Sequence, residues 1–269
     1  MLAFVVRPTT RLSDVTSPAS AGVVAIIPAR YSSTRFPGKP LADIGGRPMV
    51  EHVYRRVAAA ASIEAVLVAT DDARVAQAVT DFGGLVQMSK TDHVSGTDRL
   101  AEVAEALRCE LVVNVQVDEP LIDPTAIDAA VASCADDASV MMSTLRCPLQ
   151  NTGDLHDPNV VKVAVDRNGY ALCFSRAAIG LSRTDGRAPS SSPVNKHIGL
   201  YVYRRPFLLT LAHLDPTPLE RAEQLEQMRA LEHGHRIMTT ATDHDSIGVD
   251  TPAELEQVRR LVADGALYE

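Results

Sequence analysis

Val23-Val24-Ala25-Ile26-Ile27, released at Pro28-Ala29-Arg30-Tyr31 into a polar loop, is a continuous apolar run rich in β-branched residues. Such a run suits a strand buried on both faces. Working outward, a helical pattern spans Met49 to Ala61, with its start marked by Pro48, and Ala65-Val66-Leu67-Val68-Ala69 repeats the buried-strand signature. Asp72 to Phe82 is helical and stops at Gly83-Gly84, a helix-ending pair. A short strand at Leu85 to Met88, a helix from Thr97 to Leu107 and a strand from Leu111 to Val117 continue the alternation. Strands separated by helices of this length predict an α/β fold with a mostly parallel central sheet, whose ligand sites lie at the carboxyl ends of the strands.

Beyond Pro124 the pattern changes. A helix to about Cys134 and a strand at Ser139 to Leu145 precede two strand-like runs, Val160 to Val165 and Tyr170 to Ser175, joined through Asp166-Arg167-Asn168-Gly169, where Asn-Gly signals a hairpin. Thr184 to Pro193 is a Ser-, Pro- and Gly-rich loop. A strand at His197 to Tyr203, one long helix from Pro218 to about His233 and a last helix from Pro252 to Val262 complete the chain. The expected organisation is a loose tail over residues 1–21 and one compact unit over 22–269, with a possible subsidiary lobe.

The 269 residues are 46% hydrophobic and 22% charged, the composition of a soluble globular protein. A net charge of −8 supplies no global positive field to hold a nucleic acid, and no run approaches the roughly 18 apolar residues of a membrane span. The expectation is a cytoplasmic protein without nucleic-acid or membrane partners. Cys109, Cys134, Cys147 and Cys173 form no C-x-x-C pair and are expected to be reduced thiols in the core.

An acidic protein can still bind a triphosphate where a few cations converge. Pro28 to Leu41 leaves the first strand as a long loop carrying Arg30, Arg35 and Lys39, which can neutralise phosphate oxygens. It matches neither a P-loop nor a dinucleotide fingerprint, and composition alone equally describes a solvated basic loop. Asp118 and Glu119 follow an apolar strand, as suits Mg²⁺, which usually takes one or two carboxylates plus substrate oxygens. Asp250 precedes a helix, where an N-cap is the alternative. In the long helix Glu223, Glu226 and Gln227 fall on one side, suited to sugar hydroxyls or to an exposed polar face.

Together, the loop Pro28 to Leu41, Asp92-His93 with Ser95-Gly96-Thr97 and Arg99, Gln116 to Pro120, His197-Ile198-Gly199-Leu200-Tyr201 and Gly248-Val249-Asp250-Thr251-Pro252 closely resemble the 3-deoxy-manno-octulosonate (KDO) cytidylyltransferases, over roughly Val23 to Val262. The resemblance implies a Rossmann-like nucleotidyltransferase fold with a small dimerisation lobe, here about 146–205, and a homodimer. It also implies transfer of CMP from CTP to KDO, for lipopolysaccharide-type sugar assembly. By the same resemblance Arg30 and Lys39, supported by Arg35, hold the triphosphate; Ser95 and Gly96 position the cytidine; Asp118 and Asp250 bind Mg²⁺. Arg99, Gln116, His197, Tyr201, Glu223 and Gln227 face the acidic sugar. Within the helix, the E-x-x-E-Q spacing permits a slip of register. The chain departs from the pattern at Val117, where the family usually has Gly, and across Gly180 to Pro193. Alternatives are activation of another acidic sugar, such as a sialate, and a non-catalytic nucleotide-binding protein; the Pro37-Gly38-Lys39-Pro40-Leu41 ending favours KDO over sialate.

Overall fold

Strand β1 (Val23–Pro28) is buried from Val24 onward, and that burial is what its uninterrupted apolar sequence requires. The computed structural model describes residues 22–32, 36–91, 93, 95–149, 153–180 and 194–265. Contacts divide the chain into two compact units, Met1–Asp128 with Ser246–Glu269, and Ala129–Asp245.

In the first unit β1 is flanked in parallel by β4 (Ala65–Thr70) and β6 (Leu111–Val115), and β4 pairs in parallel with β5 (Leu85–Met88). Between β1 and β4 lie a 3₁₀ turn at Lys39–Leu41, a two-residue-strand hairpin, β2 (Asp43–Ile44) and β3 (Arg47–Pro48), and helix α1 (Met49–Ala59). Helices α2 (Ala73–Asp81) and α3 (Gly96–Ala106) complete the predicted alternation. The unit also holds the start of α4 (Pro124–Ala135) and the C-terminal α8 (Pro252–Ala263). The hairpin turns through Gly45 and Gly46, both at positive φ, as a tight two-residue connection demands. Ile44, Met49, Val249, Leu255 and Val258 form a buried cluster with Phe36, Ala42, Leu121 and Ile247 packed against it. This small core gathers segments close in sequence to Lys39, Asp118 and Asp250.

The second unit contains β7 (Met142–Pro148), β8 (Lys162–Val165), β9 (Ala171–Ser175), β10 (Val194–Arg204), α5 (Arg205–Ala212), α6 (Pro218–Glu223), α7 (Gln227–Glu232) and β11 (Met238–Ala241). The stretch 146–205 lies wholly within it. β10 pairs antiparallel with β7 and β8, β8 with β9, while β11 joins β7 in parallel. The β8–β9 connection turns at Gly169, φ 85°, as the Asn-Gly signal requires.

Two sequence expectations are corrected. The helix expected from Pro218 to His233 is broken: Gln224 adopts a left-handed φ of 53° and separates α6 from α7. The strand expected to reach Val117 stops at Val115, because residues 116–119 form a turn in which Glu119 N–H donates to the Gln116 carbonyl. Val117 is nonetheless only 7% exposed. Among the described residues Gln224 is the one non-glycine at positive φ, so Val117 occupies no backbone conformation that demands glycine. Val117→Gly is expected to lower stability by roughly 1–3 kcal/mol through lost burial and added chain entropy. Thermal melts read this directly, and an unchanged melting temperature would show that the valine contributes no burial.

Candidate active site

The carboxyl end of β1 opens into the loop that carries Arg30 and Lys39; Arg35 lies outside the described residues. Gly38, at φ 74°, supplies the left-handed step before the 3₁₀ turn, and a Cβ there would stand 3.2 Å from the Tyr31 hydroxyl oxygen. The turn buries Lys39, whose Nζ donates to Asp118 Oδ2 at 2.6 Å and to Asp250 Oδ1 at 3.0 Å. Burial alone would lower the pKa of the ammonium, yet the charges and hydrogen bonds of Asp118 and Asp250 outweigh it and hold the pKa above the ordinary lysine value.

Three chain segments thus meet at one cation. The Val249 N–H donates to the Asp118 carbonyl at 2.8 Å, fixing the two acidic segments against each other. Asp250 is relieved of the capping role that its position allowed. Thr251 is the N-cap of α8, its hydroxyl accepting from the Glu254 N–H in a reciprocal capping box, and the Asp250 carboxylate turns to Lys39. Two carboxylates converging on one positive charge are a donor set that Mg²⁺ can use together with substrate oxygens. Among the described residues there is no group of three or more His, Cys, Asp and Glu side chains that could hold a metal without such help.

Arg30 reaches a different target. Its Nη2 donates to the carbonyls of His93 and Ser95, at 2.8 and 2.9 Å, and so ties the β1 loop to the start of α3. Ser95 caps that helix, its hydroxyl accepting from Asp98 N–H while its own N–H donates to the Asp98 carboxylate. Gly96 is the first helical residue. This arrangement leaves a helix N-terminus beside Arg30, favourable for anionic or polar groups of a nucleotide.

Arg99, expected at the sugar, is wholly buried. Its Nη2 donates to Asp71 Oδ2 at 2.7 Å and its Nη1 to the Ser89 hydroxyl, while Nε has no partner. Gln116 donates from its amide to Asn114 Oδ1 at 3.2 Å.

In the second unit His197 and Tyr201 come together. The pairing register of β10 slips between Ile198 and Tyr201, and the rings of His197 and Tyr201 stand 5.4 Å apart. His197 also stacks edge-on against Phe174 and shares a 2.9 Å hydrogen bond between Nε2 and the Thr144 hydroxyl. Because that hydroxyl donates to the Leu200 carbonyl at 2.6 Å, it accepts from His197 Nε2–H, and Nδ1 keeps its lone pair. Burial pushes the His197 pKa down to about 3, so the ring is a neutral hydrogen-bonding group. Burial, followed by the charges of Tyr203 and Glu226, raises the Tyr201 pKa well above its usual value and keeps its hydroxyl protonated.

The helix break redistributes the last candidates. The Glu223 carboxylate accepts from the Ser175 hydroxyl at 2.8 Å and from the Arg176 N–H at 2.9 Å, which anchors α6 to the end of β9. Glu226, at the start of α7, is the acid whose charge acts on Tyr201. Gln227 is buried with its Nε2 unpartnered. Sequence periodicity assumed one continuous helix and missed this division of labour; it also missed Thr144, which carries no motif signal. The four cysteines form no disulfide; Cys134 and Cys147 are buried and Cys109 and Cys173 half-buried.

The cytidylyltransferase family matches residues 24–237. The chain belongs to that family. It is 56% identical over 241 residues to the 3-deoxy-manno-octulosonate cytidylyltransferase of Syntrophotalea carbinolica, covering 88% of this chain and 96% of that protein. It is 54% identical over 243 residues to the enzyme of the same name from Geobacter sulfurreducens, covering 88% and 97%. Among solved structures, CMP:2-keto-3-deoxy-manno-octonic acid synthetase complexed with CTP superposes with a TM-score of 0.84 at 42% identity, over 91% of this chain and 99% of that one. A cytidylyltransferase from Leptospira borgpetersenii, 16% identical with a TM-score of 0.61 over 91% and 87%, shares the fold. A mostly parallel α/β fold, as expected from the alternation of elements, and its nucleotidyltransferase class, as implied by the resemblance, are thereby established. No helix among the described residues is long and apolar enough to cross a membrane.

The buried His197 gives a pH test. Its folded pKa, about 3, lies below the ordinary 6.5, so the unfolded chain binds the extra proton between these values. The stabilisation from keeping the ring neutral is full above pH 6.5 and is lost as pH falls toward 3. Urea unfolding of the parent and of His197→Gln is expected to show the parent losing about 1–2 kcal/mol more between pH 6.5 and 5. Parallel pH profiles would contradict the neutral, buried ring.

Proposed function

We propose that this chain transfers CMP from CTP to KDO, releasing pyrophosphate and supplying an activated acidic sugar for lipopolysaccharide-type assembly. The observation that carries the proposal is the convergence of Lys39, Asp118 and Asp250 at the loop after β1. It is joined to 42% identity with a synthetase whose structure contains CTP. Lys39, with Arg30 and Arg35, neutralises the triphosphate, and Ser95 and Gly96 at the start of α3 position the cytidine. Asp118 and Asp250 would hold Mg²⁺, which when bound would supply charge neutralisation to the phosphates and make a sugar hydroxyl more acidic. Arg99, Gln116, His197, Tyr201 and Gln227 serve the acidic sugar. At the corner between α6 and α7 the charge of Glu226 acts on Tyr201, while Ser175 and Arg176 engage Glu223.

The sugar hydroxyl oxygen bonds to the α-phosphorus, the bond to the pyrophosphate oxygen breaks, and the hydroxyl proton leaves to solvent. Positioning and charge neutralisation carry most of such a reaction, and a covalent protein intermediate is not needed. The neutral His197 offers Nδ1 as an acceptor to a sugar hydroxyl, and Tyr201 offers an O–H donor. A cytoplasmic homodimer, associating through the segment 146–205, completes the proposal.

Pyrophosphate release tests it: turnover is expected to require both CTP and KDO, and equal turnover with UTP would refute the specificity. Asp118→Asn and Asp250→Asn are each expected to lower kcat/KM at least about 100-fold while the protein stays folded, because each removes a charged oxygen donor. Full activity in either variant would remove that aspartate from the metal site.

A further inference from the structure

The break between α6 and α7 is spanned by a buried ion pair. Arg229 Nε and Nη2 donate to Glu220 Oε2 and Oε1 at 2.9 and 2.6 Å, a two-pronged contact whose side chains are 7% and 9% exposed. The Thr217 N–H donates to the same Oε2 at 3.1 Å. Glu220 thus secures the start of α6, and Arg229 the first turn of α7. Between them the chain makes its left-handed step at Gln224, with the Leu225 N–H bonded to the Glu220 carbonyl at 3.2 Å. At the far side of that step stand Glu226 and the buried, unpartnered Gln227 amide.

A non-glycine residue at positive φ persists only where its surroundings over-determine it. Burying two charges is a poor route to stability, since apolar replacements of similar size are often neutral or better. What the forked contact supplies is geometry: one carboxylate binds the start of one helix and one guanidinium belongs to the next. We propose that Glu220 and Arg229 are positioning residues for the acidic sugar, fixing the corner so that the Gln227 amide is presented, already desolvated, to a sugar oxygen. The proposal rests on the assignment of Gln227 to the sugar. A buried amide that gains its partner only when substrate arrives rewards that substrate and penalises one lacking the matching oxygen.

Steady-state kinetics of the full-length chain with CTP and KDO provide the test. Glu220→Gln combined with Arg229→Met removes both charges while keeping approximate volume, and circular dichroism checks the fold. The double variant is expected to raise KM for KDO by about tenfold, with KM for CTP within about twofold, because the loss concerns one hydrogen bond of the sugar. Gln227→Ala is expected to raise KM for KDO by a similar factor, and adding it to the double variant by less than about threefold more, since both act on one contact. If the double variant does not fold, Arg229→Lys, which keeps the charge and loses the fork, is expected to give at least about a threefold rise in the same KM. An unchanged KM for KDO in a folded pair variant, alongside a raised one in Gln227→Ala, would overturn the positioning role and leave the sugar assignment standing. An unchanged KM in Gln227→Ala would overturn the assignment itself, and with it the route by which the pair is proposed to act.

Discussion

Two carboxylates from distant segments of the chain share one lysine ammonium. Without a cation between them Asp118 and Asp250 would repel each other in a partly buried setting; without them the burial of Lys39 would favour loss of its proton. The small core of Ile44, Met49, Val249, Leu255 and Val258 holds the neighbouring segments in place. A capping box at Thr251 frees Asp250 from helix duty. Gly38 allows the turn that aims Lys39 inward. Each of these local features makes sense as a condition for one concentrated site of charge on a chain whose net charge is −8.

Such a site suits phosphoryl chemistry because the charge to be managed belongs to the substrate. In the proposed reaction a triphosphate would bring negative charge to a place where carboxylates already stand, and lysine, arginine and a divalent cation would share the neutralisation. The groups in the second unit are of a different kind. His197 is neutral, Tyr201 protonated and Gln227 uncharged, a set suited to reading hydroxyl and carbonyl oxygens by hydrogen bonding.

Much of the first unit was legible in sequence because its signals are local: apolar runs for β1, β4 and β6, and Gly83-Gly84 after α2. The metal-site candidates were legible as types, acids at element ends, but nothing in the sequence says that Lys39 lies between them, for their separations of 79 and 211 residues are bridged only by tertiary packing. The corner at Gln224 was illegible because the 3.6-residue pattern of α6 and α7 nearly continues across it, and a left-handed glutamine carries no composition signal. The same holds for the slip in β10 between Ile198 and Tyr201. Arg99 was legible from its motif, but its pairing with Asp71 was not, since that depends on where β4 ends.

A double-mutant cycle on stability between Lys39 and Asp118 probes the shared charge independently of any substrate. Lys39→Met alone leaves two acids facing each other, and Asp118→Asn alone leaves the ammonium with one partner. Unfolding free energies of the parent, both single variants and the double variant are expected to show a coupling of about 1–3 kcal/mol, the double variant being less destabilised than the sum of the singles. Additive losses would show that the lysine and the aspartate stand near each other without depending on each other, and would contradict the shared-charge account.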